Sequence, residues 1–289
     1  LIPFTMQMAF VTIGGYVVAT SPPVQRLIDR FALIPKTSRG AVGFVAAVSM
    51  ISSLLSWGLS LIFGGLLVRA IARRADLRVD YRAAGAAAYL GLGATWALGL
   101  SSSAAQLQAN PASLPPALLP ITGVIPFTET IFLWQSMVIA AVLIVISTAI
   151  CIWSAPSGAA AVTAEDLDVD VSQREDDLPP PRQPGEWLEH SPILTVLVVA
   201  LALGWLIQEF ARQSTIIAIS NLNTYNLLFL MAGLLLHWKP KRFLVAVYKS
   251  VPATTGVLIQ FPFYAAISYI LTHAANPAGD TLSHVITHA

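Results

Sequence analysis

Charge is scarce in this sequence. Of its 289 residues only 11% are Asp, Glu, Lys or Arg, against the roughly 25% usual in soluble domains. A soluble domain so poor in charge could not solvate its surface. The scarcity is also local, because residues 1–25, 40–68, 83–128, 130–164, 213–238 and 250–279 carry no charge of either sign. A hydrocarbon core about 30 Å thick is crossed by about 20 apolar residues of helix, and several of these tracts are long enough. They also lack the period-two alternation of a barrel strand. With 56% hydrophobic residues, the expected fold class is an all-α polytopic membrane protein.

Other absences narrow the function. A single cysteine, Cys151, lies in an apolar tract, which excludes a disulfide framework and a cysteine-based metal site. A net charge of +1 gives no reason to expect a nucleic-acid partner. There is no Gly-x-Ser-x-Gly elbow, no phosphate-binding Gly-rich loop and no His-Glu-x-x-His. His273, His284 and His288 lack the spacing of zinc ligands, so no metal ligand is assigned. The tracts hold no Asp, Glu or Lys from which to build an intramembrane proton relay. Glu129 and Glu209 fall at tract edges, where an interfacial carboxylate is ordinary. No catalytic residue is assigned, and the chain is not expected to be an enzyme. No cleavable signal peptide is visible, and both ends read as cuts in a longer chain.

The charges that are present set a topology. Residues 21–39 carry Arg26, Arg30, Lys36 and Arg39 with one acid, Asp29; residues 69–82 carry five Arg and two Asp. Both loops should be cytoplasmic by the positive-inside bias, yet one apolar tract separates them. A re-entrant hairpin over about 40–68 resolves the conflict: two half-length limbs enter, turn and return, with the turn among Ser52, Ser53, Ser56, Trp57, Gly58 and Ser60. Non-helical backbone at that depth is tolerated only inside protein or beside water. Residues 1–154 then form an N-terminal membrane half. Residues 155–190, with nine acids, two Arg and the run Pro179-Pro180-Pro181, read as a flexible cytoplasmic linker. Residues 191–289 begin a second membrane half.

Neutral polarity inside the tracts marks the candidate site. One cluster is the hairpin tip; a second is Thr95, Trp96, Gly99, Ser101, Ser102 and Ser103, where three serines follow a Gly-broken apolar run. Such residues continue a helix poorly and suit an unwound segment. Transporters bind anions and small cations at broken helices of this kind. A third set is Asn223 and Asn226, with Gln260 and Tyr264, the last two sharing one helix face at a spacing of four around a kinking Pro262; interhelical hydrogen bonding and substrate contact are equal readings of this set.

These stretches resemble a known family. Met6-Gln7-Met8-Ala9, ATSPPV at 19–24, Ser56-Trp57-Gly58 followed by residues 69–74, NTYNLLFLMAGLLLHWKP at 223–240 and TGVLIQFPFYA at 255–265 are similar to bacterial short-chain fatty acid transporters of the acetoacetate and butyrate uptake type, within the ion transporter superfamily. The resemblance implies inverted-repeat halves, each with a re-entrant hairpin and a broken helix, the second pair lying beyond Ala289. It implies secondary import of a small carboxylate across the bacterial inner membrane, with H+ or Na+ as coupling cation and no other cofactor. Lipid is an expected partner, and assembly as a homo-oligomer is open. The resemblance is to a tip that reads Asn-Trp-Gly in one family member; here Ser56 stands in place of the amide, and Ser52 and Ser53 are at hand to compensate. A dicarboxylate or other organic-anion carrier is the alternative. A membrane-embedded enzyme or a non-transporting scaffold fits less well.

Overall fold

The structure, a computed structural model, describes residues 2–111, 114, 119–172, 178, 180, 181, 183–277, 279–282, 285 and 286. Continuous apolarity becomes helix: α1 (Ile2–Ala19), α2 (Pro22–Ala32), α3 (Ser38–Leu55), α4 (Trp57–Ala72), α5 (Tyr81–Leu90), α6 (Ser103–Ala109), α7 (Leu119–Thr122), α8 (Trp134–Ser154), α9 (Glu186–His190), α10 (Ile193–Arg212), α11 (Thr215–Ser220), α12 (Leu222–His237) and α13 (Pro240–His273). Among the described residues there is no strand beyond an isolated bridge between Ala275 and Thr281. Six helical segments are long and apolar enough to cross a membrane: Ile2–Ala19, Ser38–Leu55, Tyr81–Ala109, Trp134–Ser154, Ile193–Arg212 and Pro240–Leu271. The protein is an all-α, multi-pass membrane protein.

Helix ends follow local chemistry. Pro22 and Pro23 open α2, where their missing N–H groups cost nothing. Thr37 caps α3 by accepting from the Gly40 N–H, and Asp80 caps α5 by accepting from Ala83. Pro252 and Pro262 are both accommodated inside the single helix α13.

Helices α3 and α4 form an antiparallel hairpin. Ser60 Oγ donates to the Ser49 carbonyl at 2.6 Å, tying limb to limb. The feet are together: Arg73 pairs with Asp29 of α2 at 3.2 Å, and Arg74 donates to the carbonyls of Ala32 and Pro35 at 2.8 and 2.7 Å, just before α3. Met50, Val45, Leu67 and Ile71 fill the space between limbs, and α5 lays Ala84, Ala87 and Ala88 against them. The turn is narrower than the sequence suggests. Ser56 alone has extended backbone (φ −154°, ψ 123°), and Ser52, Ser53, Trp57, Gly58 and Ser60 are helical. One residue whose hydroxyl caps the next helix reverses the chain, so its neighbours keep their helical hydrogen bonds. The limbs are accordingly longer than half-length, at 18 and 16 residues, or about 24–27 Å at 1.5 Å per residue.

Charged segments collect at the end of the bundle where the hairpin has its feet. Arg39 Nε donates to the carbonyl of Ala155 after α8 at 3.0 Å, and Lys241 at the start of α13 pairs with Glu189 of α9 at 2.9 Å. Residues 155–166, the first part of the expected linker, contact this end of the bundle. Ala155, Ala161 and Ala164 are buried. The Tyr81 N–H donates to the Val162 carbonyl at 2.8 Å, and the Val162 N–H donates to Asp80 at 2.9 Å. Arg78 reaches the Ala161 carbonyl and pairs with Asp166 at 3.2 Å. Asp80 and the arginines offer these residues partners that a composition count cannot see. Residues 72–75, 77–79, 163–166 and 168–172 line an open cavity of about 890 Å³. Residues 173–177, 179 and 182 of the expected linker lie outside the described residues, as do His284 and His288.

Asp80 is the clasp. Burial alone would raise its carboxyl, but the Arg82 guanidinium and the Val162 and Ala83 N–H groups outweigh that and hold it at about 2. A folded-state pKa below the unfolded value of roughly 3.9 stabilises above about pH 4, and the contribution is lost as pH falls through about 2. Asp80→Ala is expected to cost about 1 kcal/mol through the lost cap and to open residues 155–166 to a nonspecific protease at neutral pH. Limited proteolysis in detergent checks this, and a cleavage pattern like wild type would show that Asp80 does not hold the segment.

Candidate functional site

The two polar clusters meet at the hairpin tip. Helix α5 continues into a π-helical turn (Gly91–Thr95) and a 3-10 turn (Trp96–Leu98), and then loses helical geometry at Gly99 (φ −104°, ψ 172°) before α6 begins. A π turn inserts an extra residue into the helical repeat, and the extended residues after it reach the hairpin. The Leu100 N–H donates to the Leu54 carbonyl at 2.8 Å. The Trp57 N–H, first in α4, donates to Ser101 Oγ at 2.8 Å. Ser56 Oγ accepts from Leu59 at 3.3 Å and Ser102 Oγ from Ala105 at 3.3 Å, capping α4 and α6. One turn deeper, Ser53 Oγ and Thr95 Oγ1 lie 2.7 Å apart, and both hydroxyls reach the Met50 carbonyl at 2.9 and 3.2 Å.

Glycine permits the crossing. A Cβ on Gly99 would stand 2.6 Å from the Ser53 carbonyl oxygen, and one on Gly58 would stand 2.6 Å from that of Val11 in α1. Backbone therefore meets backbone on both sides of the tip. An apolar wall completes the site, with Trp57, Trp96, Tyr225, Phe229 and Met8 in one cluster.

Of the residues predicted from sequence, the structure brings together Ser53, Ser56, Trp57, Gly58, Thr95, Trp96, Gly99, Ser101 and Ser102. Ser103 opens α6 beside them, and Ser52 accepts from the Ser56 N–H through its carbonyl; both side chains are half-buried. Four residues lie apart. Gln7 Nε2 donates to Asn223 Oδ1 at 2.8 Å, and Asn226 Nδ2 donates to the Gln7 carbonyl at 2.9 Å. These amides bind α12 to α1 rather than facing the tip. Gln260 and Tyr264 are exposed on α13, with the Tyr264 ring edge-on to Phe261. A shared helix face did not tell which neighbour that face would meet.

Two residues at the tip were missed. Tyr225 donates its hydroxyl to the Leu55 carbonyl at 2.8 Å and lies against the hydroxyls of Ser56 and Ser101. Gln106, only 1% exposed, donates from Nε2 to the Leu100 carbonyl at 2.6 Å. Tyr225 stands between Asn223 and Asn226, and Gln106 is one of three amides, with Gln108 and Asn110, within the uncharged tract 83–128. Both signals were there, but only the fold carries these side chains to the tip.

The whole chain, residues 1–289, matches the family described as short chain fatty acid transporter. A relative from Escherichia coli named "Putative short-chain fatty acid transporter" is 34% identical over 275 residues, which are 95% of this chain and 61% of the relative. A relative of the same name from Haemophilus influenzae is 29% identical over 285 residues, 95% of this chain and 61% of its own length. The chain thus spans less than two thirds of these relatives. No solved structure matches. Matched along its full length by a single family, and carrying its polar residues where a hairpin tip meets a broken helix, this chain belongs to the short-chain fatty acid transporter family.

Proposed function

We propose that the protein works as a secondary carrier importing short-chain monocarboxylates such as acetoacetate or butyrate across the bacterial inner membrane, driven by a proton or sodium gradient. The observation that carries this reading is the buried contact between hairpin tip and helix break, the Trp57 N–H on Ser101 Oγ. Two departures from helix at one place inside an apolar bundle are costly unless they serve a site. The substrate's carboxyl group takes up Ser56, Gly58 and the turn of Ser101, Ser102 and Ser103, where the N-terminus of α4 supplies a positive dipole end. Trp57 and Trp96 flank its short apolar tail. The hairpin enters from the cytoplasm, where its arginine-rich feet remain, and alternating access moves the tip and the break relative to α1 and α12. The inverted-repeat architecture and the second hairpin belong to this reading.

A dicarboxylate carrier would favour a second cation in the site, and residues 40–68 and 83–128 hold no Lys or Arg, which favours a single carboxyl group.

In proteoliposomes, labelled butyrate and acetoacetate are expected to accumulate under an imposed gradient. Ser56→Ala combined with Ser101→Ala should lower uptake more than tenfold while the protein stays folded. Accumulation of succinate instead would overturn the monocarboxylate assignment, and absence of uptake under every gradient would overturn the carrier. Tyr225→Phe removes one buried hydrogen bond and should cost about 1 kcal/mol. Gly58→Val drives side-chain atoms into the Val11 carbonyl and should lower the melting temperature far more. Thermal unfolding in detergent ranks the two, and the reverse order would show that the α1–α4 crossing is not close-packed.

A further inference from the structure

Several N–H groups at the tip are already committed to protein acceptors. The Trp57 N–H goes to Ser101 Oγ, the Leu59 N–H to Ser56 Oγ and the Ser60 N–H to the Ser56 carbonyl. The Leu100 N–H goes to Leu54, and the Ala105 and Gln106 N–H groups go to Ser102. One buried side-chain acceptor beside them is left without a donor. Gln106 Oε1 is sealed from solvent and has no hydrogen-bond partner among the described residues, while its Nε2 is held on the Leu100 carbonyl. A buried amide oxygen without a donor is a feature folded proteins avoid, and it calls for a ligand bearing an O–H or N–H, or for a cation.

The surroundings decide the form of that ligand. Residues 1–25, 40–68 and 83–128 and helix α11, which supply the elements around the tip and the break, carry no Asp, Glu, Lys, Arg or His. The titratable side chain at the tip is Tyr225 from α12. Glu129, next to the Phe127 that packs on α6, is exposed. A bare carboxylate would enter a buried site with no countercharge, and such burial favours the neutral acid.

We infer that the substrate occupies the tip as the undissociated acid, its O–H donating to Gln106 Oε1. This rests on the carrier reading above and specifies the charge state of its substrate. The carboxylate takes a proton from water on one side, crosses as the neutral acid and returns the proton to water on the other. No protein group changes charge. Transport is electroneutral, and the gradient used is that of the proton, carried on the substrate itself.

The test is butyrate uptake and substrate-evoked current in proteoliposomes, with protein-free liposomes subtracted to remove passive permeation of the acid. The saturable component is expected to follow the undissociated acid, falling about tenfold per pH unit above the acid's pKa. It should need no sodium, evoke no current and ignore a valinomycin potential of either sign. Gln106→Leu should raise the apparent KM about tenfold or more. Gln106→Glu can donate to the Leu100 carbonyl and accept from the acid only when protonated, so its uptake should fall more steeply with pH than wild type. A purely structural role would lower the rate and leave the slope unchanged. A sodium-dependent or potential-driven saturable uptake would overturn the inference in favour of the anion with a cation on Oε1. Electroneutral uptake with wild-type KM in Gln106→Leu would overturn the assignment to Gln106. No saturable uptake by folded protein would defeat the carrier reading and this inference with it. The wild-type electrical result decides the charge state even if Gln106→Leu fails to fold.

Discussion

A helix that breaks inside a membrane leaves N–H and C=O groups with no water to receive them, and this chain breaks two helical runs at one place. The breaks answer each other. The Leu100 N–H finds the Leu54 carbonyl, Ser101 Oγ accepts from Trp57, and the Tyr225 hydroxyl covers the carbonyl of Leu55. Neither irregular segment would be tolerable alone. The glycines follow from the same demand, since Gly58 and Gly99 let two backbones come close enough for these bonds to form. The tip is consequently closely packed and rich in neutral polarity.

The charged end is organised by the complementary rule. Where arginines can reach water they also collect carbonyls and carboxylates, and they order what would otherwise be a solvated strand of chain. Arg39, Arg78 and Asp80 hold residues 155–166 against the feet of the hairpin and the start of α5. The two ends of α5 therefore do different work. Its first residue is clasped through Asp80 and Val162, and its last turn unwinds toward the tip. Any rearrangement of the break must be accommodated between those fixed points.

Much of the candidate cluster at the tip was legible in the sequence, for a physical reason. Uncharged tracts containing Ser-Ser-Ser or Ser-Trp-Gly cannot be ordinary lipid-facing helix, so Ser56, Gly58, Thr95, Gly99, Ser101 and Ser102 mark themselves. Asn223, Asn226, Gln260 and Tyr264 carried the same signal, yet the first two bind α12 to α1 and the last two are exposed on α13. A polar residue in an apolar helix says that it needs a partner, not which partner it has. The contacts of residues 155–166 were not legible, because composition reports average solvation and not the particular donors of Val162 and Arg78.

The sequence by itself determined that the chain is helical and membrane-embedded, and its charge pattern favoured basic segments at one end with one apolar tract doubling back between two of them. Those are consequences of hydration energy, which each residue carries wherever it stands. Only the tertiary structure decided that a single residue, Ser56, makes the turn, that the helix break lands on that turn, and that Tyr225 and Gln106 join it. Those are consequences of contact between segments as many as 170 residues apart, and contact depends on which backbones can approach.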